Sequence, residues 1–102
     1  MIELDMKPSM LLDRHRVALR LLVAKQARLH NLRVFGSVAR GEDTEASDID
    51  FLIDTLPGAS LLDLGGLQYD LQELLGVPVD LLTPPELPQR VRDRIIREAV
   101  PV

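Results

Sequence analysis

Leu32-Arg33-Val34-Phe35-Gly36-Ser37-Val38-Ala39-Arg40-Gly41, followed after a polar stretch by Asp48-Ile49-Asp50-Phe51-Leu52-Ile53, is the part of this chain that decides its fold. The first four residues are a short run rich in strand formers, and the run stops at Gly36, where a backbone without Cβ can turn sharply or lie against a ligand. Ser37 then stands at the start of a short helical turn over residues 38–40. Its hydroxyl and the free N–H groups of a helix start face outward, an arrangement that suits an anion such as phosphate. After the polar residues 41–47 the chain re-enters a strand over residues 48–53.

Period two fixes the geometry of that second strand. Ile49, Phe51 and Ile53 share one face, while Asp48 and Asp50 share the other with Cα atoms about 6.6 Å apart. The apolar face reads as core and the acidic face as chemistry. Two converging carboxylates repel unless one is protonated or a cation lies between them. Hard oxygen ligands on a rigid strand suit Mg²⁺, which keeps some of its waters and takes further ligands from substrate phosphates. A third carboxylate follows in Val77-Pro78-Val79-Asp80-Leu81-Leu82, where Asp80 is a lone charge inside an apolar strand. It reads either as part of the carboxylate cluster or as a structural partner of an arginine such as Arg33.

Gly36-Ser37, ten residues, Asp48-x-Asp50 and a later Asp80 together resemble the nucleotidyltransferases of the polymerase beta-like superfamily. At average residue frequencies the Gly-Ser-x10-Asp-x-Asp pattern arises by chance in a chain this long with odds on the order of one in a thousand. The string Phe35-Gly36-Ser37-Val38-Ala39-Arg40-Gly41 looks most like the minimal nucleotidyltransferase branch, the antitoxin partners of HEPN-type ribonuclease toxins. The resemblance spans roughly residues 11–100.

The resemblance implies a Mg²⁺-dependent enzyme that moves AMP from ATP onto a hydroxyl of a cognate HEPN-type toxin, with a tyrosine as acceptor. Asp48, Asp50 and Asp80 would hold two Mg²⁺ ions and carry the catalysis, while Gly36 and Ser37 would bind the nucleotide phosphates. Arg40 either touches the triphosphate or caps its loop by pairing with Glu42 or Asp43. Two rival readings are a non-catalytic antitoxin that blocks the toxin sterically and a transferase acting on a small molecule.

The 102 residues suit a single domain, too short for an added acceptor-binding domain. Hydrophobic residues make up 46% of the chain and aromatic ones only 3%, so the core is aliphatic. A net charge of −4 disfavours binding of nucleic acid through a basic surface. No tract is apolar for the 18 or so residues of a membrane span, no leader is visible, and cysteine is absent. These features suit a cytoplasmic protein.

The remaining pattern predicts an α/β chain in the order α-β-α-β-α-β-α with a small mixed three-stranded sheet. Residues 1–8 read as a flexible start. Apolar spacing then predicts a helix over residues 9–30 with Ser9 as N-cap. A helix over residues 61–75 ends at Gly76. The Gly65-Gly66 pair inside it suggests either close backbone packing or a helix that begins after the pair. The third strand covers residues 77–82, and the last helix runs from Glu86 or Leu87 to Ala99. Bringing Gly36 near Asp48 requires the first two strands to be antiparallel neighbours, and the helical crossover favours a third strand parallel to the second. Arg90, Arg94 and Arg97 form a basic stripe, either a solvated face bridged to Asp93 and Glu98 or a partner surface. Tyr69 reads as a helix packing residue.

Overall fold

The computed structural model describes residues 6–102. Two short helices, α1 (Pro8–Arg14) and α2 (Arg16–Ala24), lead into β1 (Leu29–Phe35), α3 (Gly36–Arg40), β2 (Ile49–Thr55), α4 (Leu61–Leu75) and β3 (Val79–Leu82). A 3-10 turn at Pro84–Glu86, helix α5 (Gln89–Glu98) and the two-residue β4 (Val100–Pro101) complete the chain.

The sheet order is β3-β2-β1-β4. β1 and β2 are antiparallel, and β3 lies parallel to β2 across the α4 crossover, as the sequence pattern requires. The register sets Phe35 opposite Asp50 and Asp50 opposite Asp80. The fourth strand corrects the expected count of three. Val100 pairs with Val34 and Pro101 with Arg33. Two residues cannot show a period, and a proline is tolerated only at the edge of a sheet, where this one lies.

One sheet face carries the main core, in which Ile49, Phe51 and Ile53 are fully buried beneath Leu19 of α2 and Leu67 and Leu71 of α4. The opposite face is less purely acidic than the alternation implies. Leu52 is also fully buried there, packed with Phe35 and Leu87 and flanked by Leu82, Ile95 and Ala99. Helix α5 therefore covers half of that face and leaves the end bearing Asp50 and Asp80 open.

Several local expectations change. The single helix over residues 9–30 is two helices that break at His15, and its last two residues belong to β1. A register shift between His30 and Arg33, with Asn31 at φ 60°, spoils the alternation that would have marked that strand early. Ser9 is not the N-cap. Lys7 holds that position, and the Ser9 N–H donates instead to Asp43 Oδ2 at 2.8 Å. This bond keeps the buried Asp43 at the start of α1, where the helix dipole favours it, and away from Arg40. Of the expected flexible start, residues 1–5 lie outside the described residues, whereas Pro8 opens α1 and is buried.

Helix α4 begins before the glycine pair, with Ser60 and Asp63 forming a reciprocal capping box, and ends at Gly76 with φ 71°. A Cβ on Gly65 or Gly66 would meet nothing within 4 Å, so close packing does not explain the pair. Both lie on an outer face with Leu61, Leu62 and Tyr69, which are 86%, 87% and 61% exposed. Tyr69 is thus a surface residue, and its hydroxyl donates to Glu73 at 2.7 Å.

Candidate active site

Gly36 is where the turn and the carboxylates meet. It opens α3 directly after β1 and holds φ at 75°, a left-handed value that only glycine adopts without strain. A Cβ there would press into the Asp50 carboxylate, within 3.3 Å of Cγ and closer still to Oδ2. Glycine at this position therefore lets the start of α3 lie flat against Asp50. Ser37 follows, partly buried, and Gly41 ends the helix in a second left-handed conformation.

Asp50 projects from β2 beside Asp80 of β3, its register partner, and Asp48 precedes β2 on the same rim. Burial pushes the Asp50 carboxyl up to about 6, and the adjacent negative charges of Asp80 and Asp48 push in the same direction. Among the described residues no arginine pairs with Asp80. Arg33 pairs with Asp54 instead, on the far side of the register shift, and Asn31 Nδ2 donates to the same carboxylate at 2.8 Å.

These residues fit a divalent cation. The donors are all hard carboxylate oxygens, Asp48 and Asp80 are exposed, and Asp50, half-buried beside Asp80, is a carboxylate whose charged form a cation would favour. Among the described residues no three acidic or imidazole groups close into a finished cage. Mg²⁺ is commonly held by one or two carboxylates with the rest of its shell supplied by water and phosphate.

Arg40, four residues after Gly36, is engaged by two acids. Its Nε donates to Glu42 Oε1 at 2.6 Å and its Nη1 to Glu98 Oε1 at 2.8 Å. The same Glu98 accepts the Gly36 N–H on Oε2 at 3.0 Å. Of the two readings of Arg40, the loop-capping pair with Glu42 is present in the structure, and the pair with Glu98 adds a tie that the sequence pattern did not suggest. Arg90, Arg94 and Arg97 are exposed, and Glu98 is committed to Arg40 rather than to this stripe.

A family model for the nucleotidyltransferase domain matches residues 18–102. The chain belongs to that family. It is a nucleotidyltransferase, and the matched span contains the turn at Gly36-Ser37 and the carboxylates Asp48, Asp50 and Asp80. A relative from Methanocaldococcus jannaschii named as a protein adenylyltransferase is 51% identical over 69 residues, covering 68% of this chain and 74% of its own. Protein adenylyltransferase MntA of Thermococcus cleftensis is 39% identical over 72 residues, covering 71% and 73%. Among solved structures, a minimal nucleotidyltransferase superposes with a TM-score of 0.80 at 41% identity, over 92% of this chain and 95% of that one. A toxin-antitoxin structure with AMP-PNP shares the fold at a TM-score of 0.69 and 20% identity, over 85% and 70%.

Among the described residues no helix is long and apolar enough to cross a membrane. The residue that sequence reasoning missed is Glu98. One physical signal pointed to it: a carboxylate in the last turn of a helix sits at the negative end of the dipole, so it needs a partner elsewhere.

Proposed function

We propose that this nucleotidyltransferase moves AMP from ATP, with Mg²⁺, onto a hydroxyl of a partner protein, and that the partner is a HEPN-type ribonuclease toxin modified on tyrosine. The observation that carries the reading is the contact of Gly36 with Asp50, which joins a phosphate-binding turn to a carboxylate cluster in one small space. Adenylyl transfer is also the activity for which the two relatives are named, and the toxin-antitoxin structure supports a toxin as partner.

The turn at Gly36 and Ser37 binds the β and γ phosphates, Gly36 by the close approach its missing Cβ allows while its N–H is held by Glu98, and Ser37 by its N–H and hydroxyl, and so orients pyrophosphate as the leaving group. Asp48, Asp50 and Asp80 hold the metal. Bound there, Mg²⁺ supplies charge neutralisation at the phosphates and a lowered pKa for the acceptor hydroxyl. Asp80, exposed at the rim, accepts the proton of the incoming hydroxyl, and Asp50, its carboxyl pushed up to about 6, is mostly ionised under neutral conditions and becomes protonated in mild acid unless a cation holds its charged form. The acceptor approaches from the open end of the sheet that α5 leaves uncovered.

The test is incubation with Mg²⁺ and ATP labelled at the α or the γ phosphate, with the product of a neighbouring gene as acceptor. The α label is expected on the partner and the γ label in free pyrophosphate, both abolished in Asp48→Ala/Asp50→Ala. Neutralisation of the partner by that double variant without any label would replace the proposal with steric blocking.

A further inference from the structure

Glu98 is the last residue of α5, a position where the helix dipole disfavours a carboxylate. It is nevertheless only 18% exposed and holds two partners at once, one per oxygen: the Gly36 N–H at 3.0 Å and Arg40 Nη1 at 2.8 Å. The Arg40 bond holds its carboxyl below the usual glutamate range, so it stays ionised where its partners need it. The chain around it is firmly placed. Ile95 and Ala99 pack against Phe35 and Leu52, and two residues beyond Glu98 β4 pairs with β1, the strand that leads into Gly36.

One carboxylate thus clamps both ends of the five-residue α3 to the C-terminal helix. By accepting the Gly36 N–H it takes the first of the N–H groups at the start of α3 that have no partner within the helix. By holding Arg40 on one edge, with Glu42 holding the other at 2.6 Å, it fixes the guanidinium at the opposite end of the same short helix.

We infer that Glu98 is a positioning residue for the nucleotide triphosphate, acting through Gly36 and Arg40 rather than by touching the nucleotide. The inference rests on the nucleotidyl-transfer reading of the site. It requires that Glu98 matter for the β and γ phosphates and not for the nucleoside end, a distinction that a purely structural role would not make.

The experiment is calorimetric titration of the full chain with ATP and with AMP, each with Mg²⁺, for wild type, Glu98→Gln and Glu98→Ala, with melting temperatures alongside. Loss of two hydrogen bonds, one of them charge-assisted, is expected to weaken ATP about tenfold in Glu98→Ala. Glu98→Gln keeps an oxygen for Gly36 and loses the ion pair, so a loss of about threefold is expected, with AMP unchanged in both. If Glu98→Ala does not fold, Glu98→Gln carries the test. ATP binding in a folded variant equal to or tighter than wild type would overturn the inference, as would equal losses for ATP and AMP. Failure of wild type to bind ATP at all would overturn the transferase reading, and the inference with it.

Discussion

Replacing Gly36 by alanine tests the contact that joins the two halves of the site. The substitution has two costs that can be separated. The first is conformational: at φ 75° an alanine is strained by roughly 1–2 kcal/mol. The second is steric, because the new methyl group would overlap the Asp50 carboxylate and force it away from its rotamer, adding roughly 0.5–1.5 kcal/mol. The sum is about 1.5–3.5 kcal/mol. At about 4–8 °C per kcal/mol for a domain near this size, the melting temperature drops by roughly 6–28 °C.

Gly41 supplies the control, since it has nearly the same φ, 72°, and a Cβ there would meet nothing within 4 Å. Gly41→Ala carries only the conformational cost. It is expected to lose about 1–2 kcal/mol and to keep its transfer activity. Gly36→Ala should lose more stability than Gly41→Ala and, on the proposed function, also lose transfer, because the Asp50 carboxylate is displaced from the cluster. In the Asp50→Ala background the steric part vanishes, and Gly36→Ala should then cost no more than Gly41→Ala. Thermal melts of Gly36→Ala, Gly41→Ala, Asp50→Ala and Gly36→Ala/Asp50→Ala, with labelled-ATP transfer measured on each, decide the matter. Equal destabilisation by Gly36→Ala and Gly41→Ala in the wild-type background, with activity kept in both, would refute the contact.

Three further outcomes follow from other parts of the structure. Asp50 binds its proton more tightly folded, at about 6, than in the unfolded chain, near 3.8, so its contribution to stability without metal is present below about pH 3.8 and is lost as pH rises through 6; the melting temperature of wild type relative to Asp50→Asn should fall across that window, and the rise produced by Mg²⁺ should be smaller at pH 5 than at pH 7.5. The partly buried Arg33–Asp54 pair, reinforced by Asn31, lies away from the site, so Asp54→Ala should cost about 1–2 kcal/mol in a denaturant melt while transfer activity is retained. Gly65→Ala/Gly66→Ala should stabilise the exposed middle of α4 by about 1–2 kcal/mol, and any loss in that melt would mean that the pair is constrained by packing after all.

Much of this was legible in the residues because the informative signals are local. Asp48-Ile49-Asp50-Phe51 alternates cleanly, so its faces follow from period two alone. The need to bring Gly36 to the carboxylates then fixed the antiparallel pairing of β1 and β2, and α4 between β2 and β3 fixed the parallel one. What stayed hidden depends on contacts distant in the chain. Asp43 caps α1 from 34 residues away, and Glu98 reaches Gly36 across 62. β4 is too short to have a pattern, and the shift at Asn31 masks the start of β1. The burial of Leu52, on the face that carries Asp48 and Asp50, depends on Ile95 of α5, an element that comes more than thirty residues later.

The proposed function makes the turn at Gly36-Ser37 and the carboxylates Asp48, Asp50 and Asp80 one centre for transfer of AMP to a partner protein. Its most direct test is the intact mass of the partner, purified after co-expression with this chain or with Asp48→Ala/Asp50→Ala. A mass increase by whole AMP units, found with wild type and absent with the double variant, is the expected result. An unmodified partner that still binds the wild-type chain, or a modified one beside the double variant, would contradict it.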